Sequence, residues 1–363
     1  MKSVKRIITL AILIFVMVAC ESTNESSTDS SNESGNSANN SGETFTLKFA
    51  TSLPATAPFS EDAVEPFMER VTELTDGEVE WDYFPGEQLG KLQDYVDQTR
   101  NGVTDVAYYL GPAFPSEMPI SSTLVGLPGL HESGVEGTVV WNRISKQSPI
   151  LEEDFLPNGV RPIFGFVSQS YDLFTTGEEI KTPDDLEGLR VMSSGGVDSE
   201  IIEYLGGTPV TLSPTEMFEA FDKGIVDVLS SYTTPLKSYG VADLIQHGTN
   251  GAQFGAGTAG FIINEDVWQS FPDNVKDAFD QASEEIALSS IIANEEDAQK
   301  VYEEWDDQGK MYTLTEEEQK DWEEEYENFK EEWLEQQDNP KYQEAYDLFL
   351  EELHKEQNEN ENN

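Results

Sequence analysis

The sequence has little of several residue types on which many protein functions depend. One cysteine in 363 residues excludes a disulfide framework and an intramolecular cysteine-based metal cluster, and three histidines leave little material for histidine-based catalysis. Lysine and arginine total 21 against 71 aspartate and glutamate, a formal charge of −50. Because nucleic-acid binding depends on cations that neutralise phosphates, we expect no nucleic-acid partner.

The longest apolar run lies at the N-terminus. Residues 7–19 are almost entirely apolar and follow Lys2, Lys5 and Arg6. About 20 residues are needed to span a bilayer as a helix, so a run this short is typical of the core of a signal peptide, here residues 1–19. Ala19-Cys20 resembles a bacterial lipobox, in which the peptide is removed and Cys20 is lipidated, for example with palmitate. The alternative is an ordinary signal peptide followed by a stray cysteine.

The next segment is polar throughout. Residues 21–43 are Ser, Thr, Asn, Asp, Glu and Gly, apart from Ala38. Such a composition cannot bury apolar surface, so residues 20–44 are predicted to be a lipidated cysteine and a disordered tether. We also expect a disordered tail at residues 354–363.

From residue 45 onward, short apolar strands alternate with amphipathic helices. Strands are predicted at residues 45–50 and 106–110, one long helix at 274–308, and two acidic helices after it. This order is typical of an α/β fold. Hydrophobic residues make up 37% of the chain, which is enough for a real core, and the length suits two domains.

Motifs for catalysis and cofactors are missing or in the wrong context. Residues 255–260 match G-x-G-x-x-G, but they lead into the apolar run 261–263, which is predicted to be a strand, whereas a dinucleotide site opens a helix. There is no G-x-S-x-G elbow, no H-E-x-x-H and no D-x-D-x-D-G loop. We therefore expect no enzyme, no cofactor and no metal site, although composition alone leaves a two-carboxylate glycosidase open.

Five segments in order resemble one protein family. They are FPGEQLG (84–90), NGVTDVA (101–107), KTPDDLEGLRV (181–191), LGGTPV (205–210) and EMFEAFDKGIVD (216–227). Together with their spacing, they are similar to the DctP-type solute-binding proteins of TRAP transporters, the tripartite ATP-independent periplasmic uptake systems. The resemblance covers about residues 45–285.

The resemblance implies a fold and a function. The fold would be α/β and two-lobed, a periplasmic-binding-protein-like (type II) fold with a hinge cleft and a long helix spanning both lobes. Lobe 1 would be residues 45–169 plus 258–297, and lobe 2 residues 170–257 plus 298–353. The chain would be a monomeric lipoprotein that captures a small organic solute outside the cell and delivers it to TRAP membrane permease subunits. The alternatives are a receptor for an ATP-driven importer or a sensor, and a secreted carboxylate-based hydrolase.

The family's carboxylate clamp is missing at the aligned positions. The family usually has an arginine where this chain has Met192, and many members have a basic residue where it has Asp172. The prediction shifts towards a neutral, zwitterionic or cationic solute, held partly by aromatic faces. In the alternative, the alignment with the family is shifted by one or two residues, and Arg190 binds the carboxylate of the solute. Arg161 is a weaker candidate for the same role.

Further ligand-binding candidates follow predicted strands. Ser231 and Tyr232 follow the family's Val-Asp-Gly position and would form one wall of the cleft. Candidates for the remaining surface are Ser52, Phe59, Tyr108, Tyr109, Phe114, Tyr171 and Phe254. For each aromatic residue the alternative is core packing.

The acid excess is better explained by environment than by ligand binding. Dense surface carboxylates keep a protein soluble in high salt, where screening weakens their mutual repulsion. The sequence therefore predicts a salt-adapted protein.

Overall fold

The structure is a computed structural model that describes residues 44–361. The predicted signal peptide, Cys20 and almost all of the predicted tether lie outside the described residues. Inside this range, no helix has both the length and the apolar run that a bilayer crossing requires.

The strands of the described range form two sheets. In chain order they are β1 (Phe45–Ala50), β2 (Val79–Phe84), β3 (Val106–Leu110), β4 (Val160–Val167), β5 (Asp172–Thr175), β6 (Arg190–Ser193), β7 (Thr208–Thr211), β8 (Val228–Ser231), β9 (His247–Asn250), β10 (Thr258–Asn264) and β11 (Met311–Thr313). The first sheet has the order β2-β1-β3-β10-β4, and the second has the order β11-β9-β5-β8-β6-β7. β10 runs antiparallel to β3 and β4, and β5 runs antiparallel to β8 and β9.

The helices flank these sheets. They are α1 (Glu65–Leu74), α2 (Tyr95–Arg100), α3 (Gly134–Ile144), α4 (Val197–Tyr204), α5 (Met217–Asp222), α6 (Thr233–Ser238), α7 (Glu265–Ser270), α8 (Asp273–Asp307), α9 (Glu316–Glu335) and α10 (Lys341–Glu361). Pro66 lies in the first turn of α1, where its missing N–H costs nothing. Thr315 and Glu318 form a capping box that starts α9.

The strand β10 lies inside the first sheet, between β3 and β4. Every residue of this strand is buried, as its nearly continuous apolar run predicts for a central strand. At Gly260 a Cβ would lie 2.2 Å from the carbonyl oxygen of Phe164, so the packing of β10 against β4 requires glycine there. The G-x-G-x-x-G pattern thus runs into a strand, as expected.

The chain passes between the two sheets at two adjacent crossing segments, residues 168–171 and 251–257. They are bonded to each other: the Ser168 backbone N–H donates to the Gly257 carbonyl at 2.9 Å, and the Tyr171 N–H donates to the Gly255 carbonyl at 2.7 Å. The Gly257 N–H also donates to Ser168 Oγ at 3.0 Å. The two crossings therefore form one short paired unit.

Helix α8 is the third connection between the sheets. Its 35 residues correspond to about 50 Å at 1.5 Å per residue. Near its start, Phe279 packs at 5.9 Å from Phe67 of α1, beside the first sheet. Near its end, Trp305 packs at 5.8 Å from Phe174 of the second sheet. The predicted long helix is confirmed, and it contacts both halves of the molecule.

The two C-terminal helices pack on different halves of the molecule. Helix α9 lies with the second sheet, since its Trp322 Nε1 donates to the Lys181 carbonyl at 2.9 Å. Helix α10, which was assigned to lobe 2, packs instead on α3 beside the first sheet. Its residues after 353 are helical to Glu361 rather than disordered, and Glu356 among them forms an ion pair with Arg143 of α3 at 2.7 Å.

Candidate functional site

The candidate site is a cleft between the two sheets, beside the paired crossing segments. It contains two cavities. The first is narrow and is lined from the sides of both sheets and from both crossings by Pro112, Ser122, Val125, Gly126, Tyr171, Ser194, Gly195, Val197, Asp198, Gly255, Ala256 and Thr258. The carboxyl end of β6 and the start of α4 thus meet the loops after β3, as expected for a ligand site in an α/β fold.

The second cavity is wider and lies along the C-terminal half of α8. It is lined by Gln169, Ser170, Asp172, Tyr232, Thr233, Asn250, Glu295, Glu296, Ala298, Gln299, Lys300 and Tyr302. Lys300 is the lysine of this lining, and it is paired with Asp297 at 2.7 Å.

Two tyrosines connect the cavities. The rings of Tyr171, from the first cavity, and Tyr232, from the second, are nearly parallel, with an interplanar angle of 12° and centroids 6.2 Å apart. Burial raises the pKa of Tyr232 to about 12, and burial together with neighbouring tyrosines raises the pKa of Tyr108 and Tyr171. The cleft therefore presents neutral aromatic side chains.

Tyr108 extends this aromatic group towards the first sheet. It lies near Tyr232 and Tyr239, which contribute to its raised pKa. Phe59 packs on Tyr108 edge to face at 5.8 Å and on Phe166 at 5.0 Å.

Two aspartates belong to the cavity linings, and Glu295 and Glu296 of α8 also line the second cavity. Asp198, at the start of α4, accepts a hydrogen bond from the Ser194 N–H at 2.7 Å, and burial raises its pKa to about 6. Asp172 accepts from the backbone N–H groups of Gly251 and Ala252 at 3.0 and 2.9 Å, and burial raises its pKa to about 7. Neither carboxylate has an ion-pair partner among the described residues.

The arginines of residues 44–361 are all occupied by the chain's own carboxylates. Arg190 forms a bidentate pair with Asp227, with N···O distances of 2.9 and 2.7 Å, at the start of β6 and so at the opposite end of this strand from the cavity. Arg161 forms a bidentate pair with Glu265 at 2.8 and 2.9 Å. The others are Arg70, Arg100 and Arg143, paired with Glu285, Asp97 and Glu356. None of them lines either cavity.

The structure brings several predicted site residues together. Tyr171, Asp172 and Tyr232 line the cavities, and Ser231 lies opposite Asp172 in the pairing of β5 with β8. Tyr108 and Phe59 lie in the aromatic group beside them. Ser52 lies half-buried in the loop after β1 and is not part of either lining.

Other predicted residues lie elsewhere, and these placements correct the sequence analysis. Tyr109 is fully buried in the core, where its hydroxyl accepts a hydrogen bond from Trp141 at 3.2 Å. Phe114 is buried in the same core, and Phe254 packs on Trp322 of α9 at 6.2 Å. For these three aromatic residues the core-packing alternative holds.

The clamp position also turns away from the cleft. Met192 is buried in an apolar cluster with Phe174 and Met217. Since Met217 belongs to α5, the side chain at position 192 packs towards that helix. Arg190 is held by Asp227, so the alternative in which it grips the solute has no support in this structure.

Sequence reasoning missed Ser194, Gly195 and Asp198. A signal was present: a Ser-Gly-Gly turn joins the strand β6 to the helix α4, and ligands in α/β folds bind at such strand ends. No group of three or more carboxylate, histidine or cysteine side chains within residues 44–361 is placed to hold a metal ion.

Comparisons with known proteins agree with this geometry. The model of the family described as bacterial extracellular solute-binding protein, family 7 (DctP) matches residues 49–337. A solute-binding protein of Chromohalobacter salexigens is 24% identical over 65% of this chain and 70% of its own length.

Solved structures share the fold. A marine metagenome TRAP solute-binding protein specific for aromatic acid ligands, in complex with 3-hydroxybenzoate, has a TM-score of 0.74 at 21% identity, over 86% of this chain and 98% of its own. A TRAP periplasmic solute-binding protein of Roseobacter denitrificans, with bound β-D-glucuronate, has a TM-score of 0.70 at 18% identity, over 84% of this chain and 99% of its own.

These likenesses confirm the two-lobed α/β fold that the sequence predicts, with the two sheets as the centres of its halves. The matched family covers most of the described residues, and its members are receptors rather than enzymes. The chain therefore belongs to family 7 of the bacterial extracellular solute-binding proteins, the DctP family of TRAP-transporter receptors, and it functions in solute binding.

Proposed function

We propose that this chain is a lipid-anchored receptor that captures a small organic solute in the cleft and delivers it to TRAP permease subunits in the membrane. One observation carries the proposal: the cavity linings combine side chains from both sheets with side chains from the segments that connect them. A solute bound there contacts both halves at once, and a ligand that does so stabilises the closed arrangement over the open one.

The paired crossings are the proposed hinge. Domain closure is usually absorbed by a few residues in the connections between domains. Residues 168–171 and 251–257 are the two short connections, and α8 contacts both halves. We propose lobe boundaries near residues 169 and 257, with α10 grouped with the first sheet because of its packing on α3.

Binding is tested best by thermal shift on the full chain. A ligand at a hundred times its dissociation constant stabilises the folded state by about 2.7 kcal/mol, which is several degrees of melting temperature. The screen covers organic acids, amino acids, amines, betaines and sugars. We expect at least one class to raise the melting temperature, and none to be consumed or altered.

Two variants locate the binding. Tyr232→Ala removes a ring from the cleft, whereas Tyr342→Ala removes a half-buried ring that packs on Trp333, away from both cavities. The ligand-induced shift is expected to vanish in the first variant and to persist in the second. If no compound raises the melting temperature, or if both variants keep the shift, the cleft is not the receptor site.

The anchor is a separate part of the proposal. Cys20 is the only cysteine of the chain, so a Cys20→Ser variant removes the only thiol that could be lipidated. We expect cells to incorporate labelled palmitate into the natural chain, which then fractionates with membranes, and not into the variant. A natural chain that is secreted without label would support the ordinary signal peptide instead. We further propose that the receptor is a monomer outside the cell.

A further inference from the structure

We propose that the cleft selects a small organic cation of the ammonium class, with Asp198 as its counter-ion and the faces of Tyr171 and Tyr232 as its walls. This inference rests on the proposed receptor function, and it names the solute class of the same site. The solved relatives described above hold carboxylates, so the inference separates this chain from them.

The position of Asp198 is the first support. It lies in the lining of the narrow cavity, between the Ser-Gly-Gly turn after β6 and the body of α4. Asp198 accepts a hydrogen bond within its own turn, from the Ser194 N–H at 2.7 Å, and no cation pairs with it in the described part of the chain. Burial without a counter-ion raises its pKa, and a bound cation would offset that cost.

The aromatic side chains are the second support, and they are independent of the charge. Tyr171 shares the cavity lining with Asp198, and Tyr232 is parallel to Tyr171 with centroids 6.2 Å apart. Tyr232 lies near enough to Tyr108, and Tyr108 near enough to Tyr171, to add to the rise in pKa that burial causes there. Aromatic faces attract ammonium groups through the ring quadrupole, and several such faces together recognise quaternary ammonium ligands.

The distribution of arginines is the third support. A carboxylate solute is usually held by a guanidinium in a bidentate pair. In residues 44–361 each arginine already pairs with a carboxylate of the chain, and none lines the cavities. An anionic solute would meet Asp198, and Asp172 in the adjoining cavity, without a guanidinium to balance them.

The test compares ligands that differ in charge and little else. The full chain is titrated by calorimetry at pH 8 with choline and with the neutral alcohol that carries a tert-butyl group in place of the trimethylammonium group. Glycine betaine, 3-hydroxybenzoate and glucuronate complete the panel. We expect choline to bind about 10- to 100-fold more tightly than its neutral analogue, the range for an interaction with a charged group.

The matched variants are Asp198→Asn and Glu200→Gln. Both remove one negative charge from α4, but Glu200 is exposed and outside the cavity lining. Asp198→Asn is expected to weaken choline binding about 10- to 100-fold and to leave the neutral alcohol unchanged, while Glu200→Gln leaves choline unchanged. The ligand comparison in the natural chain remains decisive if Asp198→Asn fails to fold.

Each outcome bears on one proposal or the other. If betaine, 3-hydroxybenzoate or glucuronate binds most tightly, or if choline and its neutral analogue bind equally, the cation inference is overturned and the receptor function stands. If nothing in this panel binds, the cation inference is also overturned, and the receptor function is then judged by the wider thermal-shift screen. Equal losses of choline affinity in Asp198→Asn and Glu200→Gln would mean a long-range charge effect and would also overturn the cation inference.

Discussion

Gly257 gives a direct test of how closely the two crossing segments pack. A Cβ at this position would lie 2.6 Å from the hydroxyl oxygen of Tyr171, closer than real Cβ contacts come. The next atoms, Tyr171 Cζ and Ser168 Oγ, are 3.8 and 3.9 Å away, which is ordinary contact. The conflict is therefore with one oxygen atom, and that atom can be removed by a second substitution.

We expect Gly257→Ala to destabilise the chain by about 1–3 kcal/mol, the usual cost of forcing extra volume into a packed site. In a Tyr171→Phe background the same substitution should cost less than about 0.5 kcal/mol, because no close atom remains and alanine also restricts the unfolded chain. The coupling energy between the two positions would then be about 1–2 kcal/mol, within the range found for residues in contact. Because Tyr171 must move, solute affinity should fall in Gly257→Ala as well.

Urea unfolding followed by tryptophan fluorescence measures the four members of this double-mutant cycle. Gly177→Ala is the control, since its Cβ would meet only Thr175 Oγ1, at 3.5 Å, and should change stability little. If Gly257→Ala costs as much with phenylalanine at position 171 as with tyrosine, the close approach at the crossing is not real and the proposed hinge loses its structural basis.

Three further predictions follow from the charges and the core. The melting temperature should rise as salt increases from about 0.1 to 2 M, because screening reduces repulsion among the surface carboxylates; a fall would contradict salt adaptation. His131 is buried, and burial lowers its pKa to about 4. The folded state therefore favours the neutral imidazole, and the contribution of His131 to the free energy of unfolding is complete above its unfolded pKa of about 6.5. That contribution should be lost at about 1.4 kcal/mol per pH unit as pH falls from 6.5 to 4, a slope that His131→Gln removes in urea titrations. Phe349→Ala, which empties a fully buried site on α10, should cost about 3–5 kcal/mol by the same assay, whereas Glu351→Ala at an exposed position should cost little.

The parts of the fold that the sequence predicted correctly are those with strong local patterns. The strand at residues 106–110 and the long helix near residues 274–308 agree with β3 and α8. The tail after residue 353 is rich in Glu, Asn and Gln, and its contact with α3, which local patterns do not reveal, accompanies its helical structure.

The ends of strands predicted part of the candidate site. The alternation of side chains along a strand would have improved that prediction. Tyr108 and Tyr109 are consecutive in β3, and successive side chains of a strand face opposite sides, so only one of them could face the cleft. Asp198 could not be singled out from composition, since it is one carboxylate among 71 acidic residues. Its importance depends on the turn at Gly195 and Gly196, where both residues have positive φ, and that turn brings the start of α4 to the cavity.

The proposed ammonium specificity would require the family fold to serve a different solute class, and the arrangement of charge is consistent with that. In β6, Arg190 and Met192 share a face; Arg190 is held by two hydrogen bonds to Asp227, and Met192 is packed among apolar side chains. Recruiting Arg190 to a carboxylate would break a bidentate pair, and placing an arginine at position 192 would bury a charge in that apolar cluster. Neither route to an acid-binding clamp is open without loss of stability. Asp198 is the charged side chain in the lining of the first cavity, and under the proposed ammonium specificity it sets the charge of the solute that binds there.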